Sequence, residues 1–141
     1  MCACCILCAD LKFLSSHGFN ALRIPLAADT IAANPLLQAN MISAEPAFQL
    51  PKLRYLDALD RLISLAATYD MLIMLDMHRR KAAVWPDPTG LWFEGAATDR
   101  AATVRGEGAL LATWQVLLQR YCGRCDAKGD RVCVCIQVCV H

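Results

Sequence analysis

One stretch, residues 71–80 (MLIMLDMHRR), limits the fold more than any other part of this 141-residue chain. Met71 to Leu75 are all apolar, and they run without a break into Asp76, Met77, His78 and Arg79. A short continuous apolar run is the pattern of a strand buried on both faces of a parallel sheet. The change to Asp, His and Arg marks the point where that strand reaches solvent. Ligands of parallel α/β proteins bind at the C-terminal ends of strands. Residues 76–79 are therefore expected at the edge of a functional site.

The rest of the chain alternates helix and strand around that stretch. Residues 9–17 suit a short helix, with Leu11 and Leu14 on one face and Gly18 as a left-handed stop. Residues 19–26 (FNALRIPL) read as a strand ended by Pro25, which has no N–H to give a ladder. Arg23 near its end needs an anionic or hydrogen-bonding partner, because an unpaired buried charge is too costly. It is either half of a structural ion pair or an arginine that orients a carboxylate in an active site. Residues 27–51 carry Pro35, Pro46 and Pro51 and form a long loop with one helical turn. Residues 52–69 are the clearest helix: Leu56, Leu59, Ile63 and Ala66 recur at three and four, and Pro51 suits the first turn.

A second long loop, residues 79–106, holds Trp85, Trp92 and Phe93. Such rings either stack on flat apolar ligand faces or pin the loop to the core. Residues 107–121 form a further amphipathic helix, with Leu110, Leu111, Trp114, Leu117, Leu118 and Tyr121 on one face, which makes Trp114 core. In the tail, Val132, Val134, Ile136 and Val138 alternate with Cys133, Cys135 and Gln137, a strand pattern.

Composition narrows the function classes. The chain is 57% hydrophobic and 19% charged, which favours a packed core over disorder. With 14 basic and 13 acidic residues there is no basic stripe, so charge makes no case for nucleic acid. No apolar run approaches the ~20 residues of a membrane span. The apolar start has no basic n-region and no clear cleavage site, and reads as a poor signal peptide. All nine cysteines lie at or before Cys8 or at or after Cys122.

In this order the parts resemble the N-terminal half of the glycoside hydrolase family 5, cellulase-like, barrel. The resemblance rests on HGFNALRIPL (residues 17–26), LIMLDMHR (72–79), GLWF (90–93) and TWQVLLQRYCG (113–123), and spans residues 9–123. It implies an α/β fold, a partial (β/α)8 TIM barrel of roughly the first half with parallel strands alternating with helices. It implies hydrolysis of β-linked polysaccharides, endoglucanase-like, with retention of configuration. It also implies that Arg23 supports the nucleophilic carboxylate, that His78 lines the sugar subsite beside the cleaved bond, and that Trp92 lies near the substrate cleft. No cofactor or metal is implied.

Retaining glycosidases need two carboxylates about 5 Å apart. The family's Asn-Glu-Pro triplet does not occur here, and Glu45, Glu94 and Glu107 match neither catalytic position. Asp76 reads as a structural hydrogen-bonding carboxylate. A complete barrel takes about 250 residues. The expectation is a chain that lacks both catalytic glutamates and is inactive alone, with residues 1–8 and 124–141 as cysteine-rich ends of open status.

Two other readings stand beside it. Cys5–Cys8 and Cys122–Cys125 are both Cys-x-x-Cys pairs that could close a zinc or redox site, although zinc ribbons keep such pairs close in sequence. Alternatively, Arg23, His78, Trp85 and Trp92 form a carbohydrate-binding remnant without catalysis. The polysaccharide is the expected partner, with neither nucleic acid nor membrane. Localisation stays open: the family is usually secreted, and nine cysteines decide neither compartment.

Overall fold

The computed structural model describes residues 6–38, 52–82, 106–122 and 134–137. Seven elements follow one another: α1 (Ile6–Ser16), β1 (Ala21–Ala27), α2 (Ala28–Ala33), α3 (Tyr55–Ala67), β2 (Leu72–Arg79), α4 (Gly106–Tyr121) and β3 (Val134–Gln137). The three strands form one parallel sheet in the order β1-β2-β3. Strand order therefore follows chain order. A sheet that grows in one direction keeps its helices on one side, whereas a doubly wound sheet reverses and covers both.

Residue alternation decides which side. Ile73, Leu75 and Met77 of β2 are at most 1% exposed and share one core with Leu26 of β1. Each helix supplies that core: Leu11 from α1, Ile31 from α2, Leu56, Leu59, Ile63 and Ala66 from α3, and Trp114, Leu117 and Tyr121 from α4. Burial of each large aliphatic side chain contributes about 1.5–3 kcal/mol, so the three-and-four repeat in α3 is enough to fix that helix against β2. In the register Arg23 pairs with Met74 and Pro25 with Asp76. Arg23, Pro25, Met74, Asp76 and His78 thus share the other face of the sheet.

The structure corrects several expectations. β1 does not end at Pro25 but runs on to Ala27, with a register shift between Leu26 and Ala27. Proline is tolerated because β1 is an edge strand among the described residues. β2 is sealed on one face only, since Leu72 is exposed and Met74 half-buried. It also continues through Asp76, which is fully buried, so solvent is met at His78 and Arg79 instead. α3 begins at Tyr55 after Arg54, which leaves Pro51 outside its first turn. In α4, Leu111 and Leu118 are exposed, so the buried stripe is narrower than the sequence implies, while Trp114 is core as expected. The first long loop contains α2, which has six residues.

The two helix-to-strand turns are built alike. After α1, Phe19 N–H donates to Leu14 O and Gly18 N–H to Ser15 O, with Gly18 at φ +84°. After α3, Met71 N–H donates to Ala66 O and Asp70 N–H to Ala67 O, with Asp70 at φ +54°. Both are Schellman closures, which satisfy the last helical carbonyls and need one left-handed residue. Leu72 N–H then donates to Asn20 O and ties the two strand starts together. α3 is capped from a distance. Leu56 N–H donates to Asn34 Oδ1 and Tyr55 N–H to Pro35 O, in place of a side-chain cap from Arg54. α4 is tied to α3 by Arg120, which donates to Asp57 and to both oxygens of Asp60 at 2.7–2.9 Å. The Asp60 hydrogen bonds raise the Arg120 pKa further above its ordinary value.

Asp29 joins the ends of β1 and β2. Its carboxylate accepts the Ala82 N–H with both oxygens (3.1 and 3.2 Å), and its own N–H donates to Arg80 O at 3.0 Å. It also accepts the Thr30 N–H in the first turn of α2.

Three outcomes are expected from unfolding measurements. Gly18→Ala meets no atom within 4 Å, so its loss comes from backbone strain alone, about 1–2 kcal/mol, whereas Asp70→Gly gains up to about 1 kcal/mol by relieving the same strain. Asp29→Ala takes the acceptor from the exposed Ala82 N–H, which water then meets, and costs about 0.5–1.5 kcal/mol. Faster hydrogen exchange at the Ala82 amide distinguishes this local release from general destabilisation.

Candidate functional site

The polar ends of β1 and β2 converge on one carboxylate. Asp76 sits one register step beyond Arg23 on the same face, close enough for the arginine side chain to lean along the strands and reach it. Arg23 Nη2 lies 2.5 Å from Asp76 Oδ2, and His78 Nδ1 lies 3.1 Å from the same oxygen. Arg23 Nη2 and His78 Nδ1 are 3.2 Å apart. The exposure is graded: the Asp76 side chain is 0% exposed, His78 26% and Arg23 51%. A carboxylate without access to water is tolerable because a guanidinium neutralises it. Asp76 Oδ1 has no hydrogen-bond partner among the described residues.

Arg23 and His78 open onto a cleft of about 710 Å³ at the C-terminal ends of the two strands, lined also by Pro25, Leu36, Tyr55 and Arg79. Burial pushes the Tyr55 phenol above its ordinary value, so it stays a neutral hydroxyl that can donate and accept. The lining thus combines guanidinium donors, an imidazole and a phenol with apolar Pro and Leu surfaces. Such a mixture suits a ligand that has both hydroxyl edges and apolar faces. Neither Asp29 nor Asp76 lines the cleft, and Glu107 lies exposed in the first turn of α4.

The structure therefore brings Arg23 and His78 together. The third sequence-derived site residue, Trp92, lies outside the described residues, as do Trp85, Glu45 and Glu94. Arg23 has an ion-pair partner, but its side chain is half-exposed and the buried charge of the pair is Asp76, the hydrogen-bonding carboxylate at the strand end. Arg79 lies in the lining, at the strand end where a site was expected, whereas sequence reasoning missed Tyr55 there and the clamp made by Asp29. No local pattern marks Asp29, because its contact spans 53 positions. Of the cysteines, Cys8 is buried and Cys122 exposed. Among the described residues no group of three or more His, Cys, Asp or Glu side chains is placed to hold a metal ion.

Comparison with known proteins bears on the fold and the family. No curated protein matches the chain. Among solved structures, an endocellulase from Pyrococcus horikoshii, crystallised in complex with cellotetraose, has a TM-score of 0.64 at 20% sequence identity. The match covers 91% of this chain and 29% of that one, so the chain spans less than a third of that enzyme's length, and the likeness is one of fold. The sequence profile of Cellulase (glycosyl hydrolase family 5) matches residues 7–126, a span that includes α1 to α4, both strands of the cleft and the Arg23–Asp76–His78 cluster. The chain belongs to glycosyl hydrolase family 5.

Proposed function

We propose that residues 9–123 form the opening strands and helices of a (β/α)8 barrel, roughly its first half, and bind β-linked glucan in the cleft at their C-terminal ends. The observation that carries this reading is the convergence of Arg23 and His78, 55 positions apart in sequence, at the mouth of one cleft. Both contact the saccharide, with Trp92 as the third substrate-binding residue. Family membership supports a substrate with O-glycosyl bonds, and the likeness to the cellotetraose-bound endocellulase supports a cello-oligosaccharide.

Binding and cleavage separate in this reading. Retaining hydrolysis needs an acid/base and a nucleophile about 5–5.5 Å apart. No residue of this sequence is assigned to either role, and among the described residues no carboxylate lines the cleft. By itself the chain holds a glucan without cleaving it, and turnover requires carboxylates supplied from beyond these residues. Calorimetric titration with cellotetraose, run beside a reducing-sugar assay, checks both halves. Saturable binding without product is expected, and Arg23→Ala, His78→Ala and Trp92→Ala each weaken it by about tenfold. A folded chain that takes up no cellotetraose sinks the binding reading. Released reducing ends sink the claim of inactivity.

A further inference from the structure

The cluster contains a proton ambiguity that chemistry resolves. His78 Nδ1 faces two groups at almost equal distance, the Asp76 Oδ2 acceptor at 3.1 Å and the Arg23 Nη2 donor at 3.2 Å. The ring nitrogen can satisfy only one of them. Protonated, it donates to the carboxylate; unprotonated, it accepts from the guanidinium and sets its lone pair against the carboxylate oxygen. Asp76 is fully buried, so a hydrogen bond lost there is not replaced by water. Arg23 is half-exposed, so its remaining N–H groups reach solvent. Both bonds have one ionised partner and are charge-assisted, so the burial of Asp76 decides between them. The hydrogen bond at one ring nitrogen sets the state of the other.

We propose that Asp76 is the positioning residue of the cleft: it anchors Arg23 and fixes His78 as the tautomer with its proton on Nδ1 and its acceptor at Nε2. Asp76 does not line the cleft and acts through the two residues that do. The effect on ligand affinity rests on the saccharide reading above; the tautomer does not.

The test is nitrogen-15 NMR of the neutral imidazole of His78 in the 141-residue chain, assigned against His78→Asn. The expected result is a protonated Nδ1 and an unprotonated Nε2. An Nε2-protonated ring in the native chain overturns the proposal before any cluster variant is made. Asp76→Asn is expected to return the ring to the Nε2-protonated form and to weaken cellotetraose binding by about tenfold or more. Arg23→Gln is expected to leave the proton on Nδ1. A tautomer that follows Arg23 and ignores Asp76 overturns the assignment. If the native ring is Nδ1-protonated but cellotetraose does not bind, the saccharide reading falls and the positioning role stands.

Discussion

A carboxylate sealed from water at the end of the central strand is the constraint to which the polar half of this molecule answers. Asp76 is tolerable there only because Arg23 reaches it from the neighbouring strand. That requirement fixes the β1–β2 register from the charged side, as apolar packing fixes it from the other. A shift of β1 by one residue would turn Ile24 to the face of the carboxylate and the guanidinium toward the helix-packed core. Both faces of the sheet thus favour the same pairing, and such agreement between packing and electrostatics singles out one native state.

The two faces of β2 divide the work. Its odd-numbered residues hold the helices; its even-numbered residues hold the cluster. Helix α3 is anchored twice, by its apolar stripe and by the Asn34–Pro35 cap. Asp29 joins the exits of β1 and β2, so the backbone beneath the cleft is braced from both strands. The residues able to touch a ligand therefore stand on a rigid floor, which keeps their geometry closer to what binding requires than a loop would.

Much of this was legible in the sequence where the signal is local. The α3 stripe, the β2 run and the glycine stop after α1 follow from periodicity and from one residue's backbone preference. Arg23 could be assigned a need for a partner, but not the partner, because Asp76 lies beyond a helix and a long connection. The width of the α4 stripe was misread for a related reason. Leu111 and Leu118 fit a helical face, but only the neighbouring elements decide how much of that face is covered. Pro25 misled because the rule against proline in strands weakens at an edge, and edge position is a property of the whole sheet. Within the site, the pairing of Arg23 with His78 rested on the family resemblance, and the Asp29 clamp had no local signature at all.

The matching turns at Gly18 and Asp70 have a consequence for how this fold tolerates change in length. Each turn sets the phase in which a strand leaves its helix, and the Leu72–Asn20 bond locks the two phases together. Side chains alternate with a period of two, so removing a single residue from either turn inverts a strand. Inversion of β2 would send Asp76 and His78 into the helix-packed core and lift Leu75 and Met77 out of it. Insertions and deletions of one residue are therefore excluded from these turns far more strictly than substitutions are.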